Sequence, residues 1–281
     1  MPRLVDVANR FRPYVPERSL PRLIDLRTSR ALRNPQALAR AQTQLATLLQ
    51  HSSRADEIDQ LVPARIRHHI ELAETRWHLD LMTRQAIRNP EVLVNRDRTR
   101  GYILNFLHHH LYEGLFGSLA RQHAVIVDVV ANAVLYRPDA QHWMAQQLRV
   151  VTFGGCRTTP NDVGFQAIVD IIKPGVVMGL GTDFPGSTRV SMLGRDFMMS
   201  SGAARIAQIT DSPVVVATVQ REGNSTFFEL SEPLEPSAYP DPMHLLNAML
   251  AIHEPAILAW PEAVDGPEVL WRLAPDHPKI T

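Results

Sequence analysis

LNFLHHHLYE, residues 104–113, decides how this chain is read. An apolar run stops at three consecutive histidines, and an acidic residue stands five positions after the first of them. The run has the length of a buried strand, and the residues after it suit the first turn of a helix. A strand ending at His108 and a helix beginning near Glu113 make one strand-to-helix step of an α/β sheet, and such sheets keep their sites at the carboxyl ends of strands. Glu113 is then expected to hold the Nδ1–H of His108, so that the other ring nitrogen accepts a proton from an attacking hydroxyl. Its charge also suits the start of a helix. The backbone amides there are candidates for stabilising an oxyanion. A metal reading fails on residue type: a His-x-His-x-Asp-His pattern needs Asp and His at positions holding Tyr112 and Glu113.

Outward from this segment, the pattern changes near residue 100. Before it the periodicity is helical, over residues 35–50 and again from Ile66 to Leu81 after Pro63. After it, apolar runs at 102–107, 124–130, 149–153, 176–180, 214–219 and 226–230 read as strands. Helices are expected between them at 112–122, 139–148, 161–172 and 200–210, with a last one at 242–258 and a loop at 234–242. The alternation predicts an α/β fold, a central mixed sheet flanked by helices. Residues 1–98 are expected to form an N-terminal helical segment packed on a core of residues 99–281.

The composition, 45% hydrophobic and 21% charged over 281 residues, is that of a soluble globular chain. Formal net charge is zero, which gives no reason to expect nucleic acid as a partner. Of 29 basic residues only Lys173 and Lys279 are lysines, and arginine forks suit phosphate and carboxylate. The single cysteine, Cys156, forms no internal disulfide, consistent with a reducing compartment. The first 20 residues carry no apolar signal-peptide core, and no run reaches the roughly 18 apolar residues of a membrane span. The expected location is cytoplasmic. Phe11, Tyr14 and Val15 among arginines offer an interfacial patch for peripheral contact with the inner face of a membrane.

A second informative stretch is GLGTDFPGSTRVSMLGRDFMMSS, residues 179–201. A strand ends near Leu180, Asp183 opens a turn with Pro185 and Gly186, and Arg189, Gly194 and Arg195 come next in a hairpin-like loop. The two arginines are candidate partners of a phosphate. Elsewhere, Cys156 reads as a buried thiol, no Gly-x-Ser-x-Gly elbow or P-loop is present, and Gly179–Leu180–Gly181 lacks the third glycine of a dinucleotide fingerprint. His142, His244 and His277 read as exposed or loop residues.

Together these segments resemble the lysophospholipid/lipid A biosynthesis acyltransferase family, in its branch of late lauroyl/myristoyl and mannoside acyltransferases. The family's His-x4-Asp/Glu motif is matched by His108 and Glu113, and its YRP-like strand end by Tyr136–Arg137–Pro138. An Asp, a Gly-containing loop and a Leu-Gly-Arg step are matched by Asp183, Gly186 and Leu193–Gly194–Arg195. A T-x-x-P-V-V strand is matched at 210–215, then a helix ending in His253–Glu254–Pro255 and Trp260. The resemblance spans about residues 57–262.

What the resemblance implies is an acyltransferase-like fold and an O-acyltransferase for groups other than aminoacyl. It would move a fatty acyl chain from an acyl carrier protein or coenzyme A thioester to a hydroxyl of a lipid, glycolipid or specialised metabolite, with no cofactor. His108 is then the base and Glu113 its orienter. Arg137, Asp183, Gly186, Arg189, Gly194 and Arg195 are implied in substrate binding, and Leu111, Leu115 and Phe116 are candidates for the acyl pocket. A thioesterase-like hydrolase would use the same dyad, and a non-catalytic subunit would keep only the fold. The chain departs from the family where His-x-Gly-Asn-Trp-Glu becomes His108–His109–His110–Leu111–Tyr112–Glu113, and it lacks the lipid A branch's N-terminal anchor and Arg-rich C-terminal signature.

Overall fold

The structure, a computed structural model, describes residue 9 and residues 11–223 and 225–275. His277 and Lys279 lie outside the described residues.

Apolar runs become the strands at the centre of the fold. In chain order the strands are β1 (Ala86–Arg88), β2 (Tyr102–Phe106), β3 (Val127–Ala131), β4 (Arg157–Pro160), β5 (Val177–Gly181), β6 (Pro185–Met192), β7 (Arg195–Met199), β8 (Val214–Glu222), β9 (Ser225–Leu230) and β10 (Arg272–Leu273). Seven form one sheet in the order β1-β9-β8-β2-β5-β3-β4. The run from β8 to β4 is parallel, and β9 pairs antiparallel with β8, so the sheet is mixed. Every residue of β2 is buried, as a central strand covered on both faces requires.

The longer helices are α1 (Leu20–Ala31), α2 (Pro35–Leu49), α3 (Ile58–Thr75), α4 (Glu113–His123), α5 (His142–Val151), α6 (Phe165–Ile171), α7 (Gly202–Thr210) and α8 (Pro242–Ala259). Two begin by the same device. Asn34 accepts from the Gln36 amide at 3.0 Å before Pro35, and Asp241 accepts from the Met243 and His244 amides before Pro242. A short polar acceptor caps orphan amides, and proline at the first position has no N–H to orphan.

Leu104 and Phe106 of β2 join Leu115, Phe116 and Leu119 of α4 in one apolar layer. Ile103 and Leu107 join Ala203, Ile206 and Ala207 of α7 in the other. The connections that leave the neighbouring strands β2 and β5 therefore pass to opposite faces of the sheet. That is a topological switch point, where a crevice opens at the strand ends.

The N-terminal helices share the α7 layer: Ile24, Leu45, Leu48, Ile66 and Ile70 belong to one cluster with Leu107, Leu180 and Phe197. Each fully buried leucine here contributes about 1.5–3 kcal/mol. The hairpin β6–β7, with β10, makes a second antiparallel sheet under these helices. Its two-residue turn, Leu193–Gly194, has positive φ at both positions (57° and 74°), the twist-matched geometry of tight hairpins.

Three expectations about elements are corrected. Residues 149–153 are the end of α5 and a 3-10 turn, and the strand lies later, at β4. Val150 and Val151 are buried on a helix face, a pattern that a short apolar run shares with a strand. The helix expected at 161–172 is a 3-10 turn followed by the shorter α6. Finally, α3 runs through Pro63 and stops at Thr75 instead of reaching Leu81.

Candidate active site

Register builds the site. Phe106 of β2 pairs with Gly181 of β5, so two residues beyond each strand His108 and Asp183 come side by side. The Asp183 carboxylate accepts from the His108 ring at Nδ1 (2.7 Å) and from the His108 amide (2.8 Å). With Nδ1–H donating, Nε2 is the basic nitrogen. Asp183 is fully buried, and the His108 side chain is 10% exposed. Burial acts against the His108 cation, but the charge and hydrogen bond of Asp183, with help from Asp265 and Glu113, outweigh it and raise the imidazole above its ordinary value. Burial likewise opposes ionised Asp183, and its bonds to His108 still bring it below the usual carboxylate range.

The ring is fixed from its sides as well. Tyr112 meets it edge-on at 4.4 Å and Phe184 at 4.7 Å. The Tyr112 hydroxyl accepts from Gln147 at 2.8 Å. Behind the pair, Asn105 donates to the Leu180 carbonyl (2.8 Å) and the Thr182 hydroxyl (2.6 Å), tying β2 to β5. Its Oδ1 must then accept from His253 Nε2 at 2.8 Å. Burial pushes His253 down to about 3, so this donor is neutral.

The other two histidines serve different ends. His109 Nε2 donates to the Trp260 carbonyl at 2.9 Å, and burial pushes it to about 4. His110 lies against Trp260, ring centres 4.6 Å apart, and burial pushes it to about 3. Its φ is 51°, the left-handed region, held by its amide donating to the Ala263 carbonyl. This is the position where the motif it resembles carries glycine, and the backbone keeps a glycine-like turn with a histidine in it.

Glu113 does not hold His108. It is fully buried and its two oxygens accept a fork from Arg76, with contacts of 2.7, 2.8 and 3.1 Å. The first residue of α4 points across to the end of α3, away from the β5 side of His108. Burial disfavours the Arg76 cation, but the charge and hydrogen bonds of Glu113 more than compensate and raise it. Nor are all the amides at this helix start free: those of Gly114 and Leu115 bond back to Leu111 and Tyr112.

The remaining expected site residues are spread. Arg137 is exposed beyond the 3-10 turn after β3, on the carboxyl edge but two strands from β2. Gly186 lies in β6 so close to Met199 that an added Cβ would stand 2.2 Å from that carbonyl oxygen. Arg189 is half exposed and pairs with Asp196 at 2.8 Å across the hairpin. Gly194 is the hairpin turn, packed on the His51 carbonyl. Arg195 is 3% exposed and donates to the Thr47 carbonyl at 3.2 Å, fastening the hairpin to the end of α2. Gly194 and Arg195 are thus committed to packing. Leu115 and Phe116 are fully buried between α4 and the sheet, whereas Leu111 lines a cavity beside His110. Cys156 is buried, and burial raises its thiol. Of the three histidines expected to be exposed or in loops, His244 and His142 are exposed, His142 also stacking on Trp77 at 5.2 Å, and His277 lies outside the described residues.

No family model matches the chain. No curated protein matches it either. Among solved structures it is similar to the 1-acyl-sn-glycerophosphate acyltransferase of Thermotoga maritima, at 12% identity and a TM-score of 0.39, over 68% of this chain and 80% of that one. Among the described residues no helix is long and apolar enough to cross a membrane.

Sequence reasoning paired His108 with Glu113 where the structure pairs it with Asp183, and it missed Arg76, Asn105, His253 and Asp265. The usable signal was parallel strand ends: apolar runs ending at Leu107 and Leu180, with an ionisable group shortly beyond each, are neighbours whenever the strands pair in register.

Proposed function

We propose that this chain is an O-acyltransferase that moves a fatty acyl group from a carrier-protein or coenzyme A thioester to a hydroxyl. One observation carries the reading: an imidazole just beyond the carboxyl end of β2, at the sheet's switch point, held by a buried carboxylate, with its second nitrogen left as the base. The ordered motifs from His108 to Trp260 support it from the sequence side. In this reading Nε2 of neutral His108 takes the proton of the acceptor hydroxyl as its oxygen attacks the thioester carbonyl. The new C–O bond forms, the C–S bond breaks, and the imidazolium returns its proton to the leaving thiolate. Asp183 stays ionised and stabilises the transient cation. The acceptor is a lipid, glycolipid or specialised metabolite bearing a hydroxyl.

The test is acyl transfer from long-chain acyl thioesters to a panel of hydroxyl acceptors, comparing the native chain with His108→Ala and Asp183→Asn. Loss of the base lowers the rate by roughly a hundredfold or more. Undiminished turnover in folded His108→Ala overturns the assignment. Free fatty acid as the sole product identifies the activity as hydrolysis instead.

A further inference from the structure

A cavity of about 320 Å³ lies between the end of α1, the first part of α2 and the middle of α3. Arg65 lines it and is 2% exposed. Its Nε donates to Gln44 Oε1 at 2.8 Å, and its Nη1 donates to the carbonyls of Glu262 (3.0 Å) and Val264. All three acceptors are neutral, and Nη2 has no hydrogen-bond partner among the described residues. Glu268, the carboxylate beyond Gln44, is already held by Arg40 at 2.7 Å. Burial brings the Arg65 guanidinium below its ordinary value, and the charges of Asp265 and Glu268 offset that only in part. A guanidinium keeps its charge all the same. Buried charges are paired as a rule, so a buried cation with neutral acceptors and an idle nitrogen marks a place for a counter-ion.

The wall narrows what that ion is. No carboxylate lies on the lining, and its guanidinium groups are those of Arg40 and Arg65. Arg40 is paired with Glu268, which leaves one cation to be balanced. A monoanion balances it, whereas a phosphate dianion would bring a second, unmatched charge into the same enclosed place. Ala37, Ala41, Ile66 and Ile70 make much of the remaining wall apolar. A single charge on a short apolar body describes a small monocarboxylate.

The same guanidinium is tied to the three histidines. The Trp260 carbonyl accepts from the His109 ring, the Ala263 carbonyl from the His110 amide, and the Asp265 amide donates to the His108 carbonyl. Arg65 grips that segment by the carbonyls in between, those of Glu262 and Val264. We infer that this cavity is an effector site for a small monocarboxylate, which pairs with Arg65 and steadies the segment that holds the three histidines. None of the chemistry assigned to His108 passes through Arg65, so the inference stands whether or not acyl transfer does.

Titration calorimetry at constant ionic strength tests it, with sodium propionate, sodium butyrate, butyramide as the neutral counterpart, and inorganic phosphate. Saturable binding of a carboxylate is expected, with none of butyramide and weaker binding of phosphate. Hydrogen exchange should slow at the amides of His110 and Asp265 when the carboxylate is bound. Affinity falls by about tenfold or more in Arg65→Gln, which removes the charge, and in Ala37→Leu, which fills the cavity from α2 and leaves Arg65 in place. Should Arg65→Gln fail to fold, Ala37→Leu decides alone. The inference is overturned by no saturable binding of either carboxylate, by equal binding of butyramide, or by tighter binding of phosphate. Unchanged affinity in Ala37→Leu or unchanged exchange at the two amides overturns it as well, and so does displacement of the carboxylate by a long-chain acyl thioester, which would make the cavity part of the substrate site.

Discussion

Arg76 grips Glu113 with both ends of its fork, and the carboxylate nearest in sequence to His108 is thereby committed to the end of α3. The pair is almost fully enclosed, with side chains 11% and 0% exposed. Enclosed pairs are worth little when intact and a great deal when half removed, because the survivor is left charged and unsolvated.

Glu113→Gln is therefore expected to destabilise the fold by about 3 kcal/mol, read by urea denaturation. In the fraction that folds, acyl transfer falls less than in His108→Ala. Equal loss of turnover in both folded variants would return Glu113 to a direct role beside the imidazole.

Asp183 predicts the pH profile. The base must be neutral, and His108 is raised, so activity is lost as pH falls through a value above the ordinary imidazole figure of about 6.5. Asp183→Asn removes the largest favourable influence on the cation and moves that acid limb to lower pH, together with a lower plateau. The kcat/KM profile of both proteins checks it; an unmoved limb would detach Asp183 from the titration.

His110 is held at a φ that costs an ordinary residue about 1–2 kcal/mol. Compared at this position, His110→Gly should be more stable than His110→Ala by roughly 1 kcal/mol, the reverse of their usual order within secondary structure. Denaturation midpoints of the two variants, side by side, decide the point.

Arg195 separates packing from substrate binding. Arg195→Met loses its bond to the Thr47 carbonyl and lowers stability by about 2 kcal/mol, while KM for the thioester stays unchanged. A selective rise in KM with unaltered melting would place the guanidinium at the substrate.

The mixed sheet was legible because its strands are apolar runs that no helix period explains, as at β2, β5 and β8. β4 was not, since Arg157–Pro160 is polar and half exposed, and the valines before it fit a helix face equally well. At the site, His108 stood out from its neighbours by spacing to Glu113, and it is indeed the imidazole that reaches a buried carboxylate. The carboxylate itself could not be read from spacing, because the contact is set by lateral register between strands and not by distance along the chain. Asp183 was in view as a loop residue and His253 as part of the His253–Glu254–Pro255 helix end, while Arg76 carried no local pattern at all.

β5 lies between β2 and β3, although it comes after both in the chain. The two earlier strands must remain apart, or separate again, for it to enter. Asp183 thus reaches His108, 75 positions away in sequence, only when this late strand has been inserted. Contacts of such long separation form slowly, after loop-closure entropy has been overcome. Partially folded chains that have gathered every helix before residue 177 still lack the His108–Asp183 pair. Recovery of turnover during refolding would consequently lag behind recovery of helical circular dichroism, leaving the protein silent until its sheet is closed.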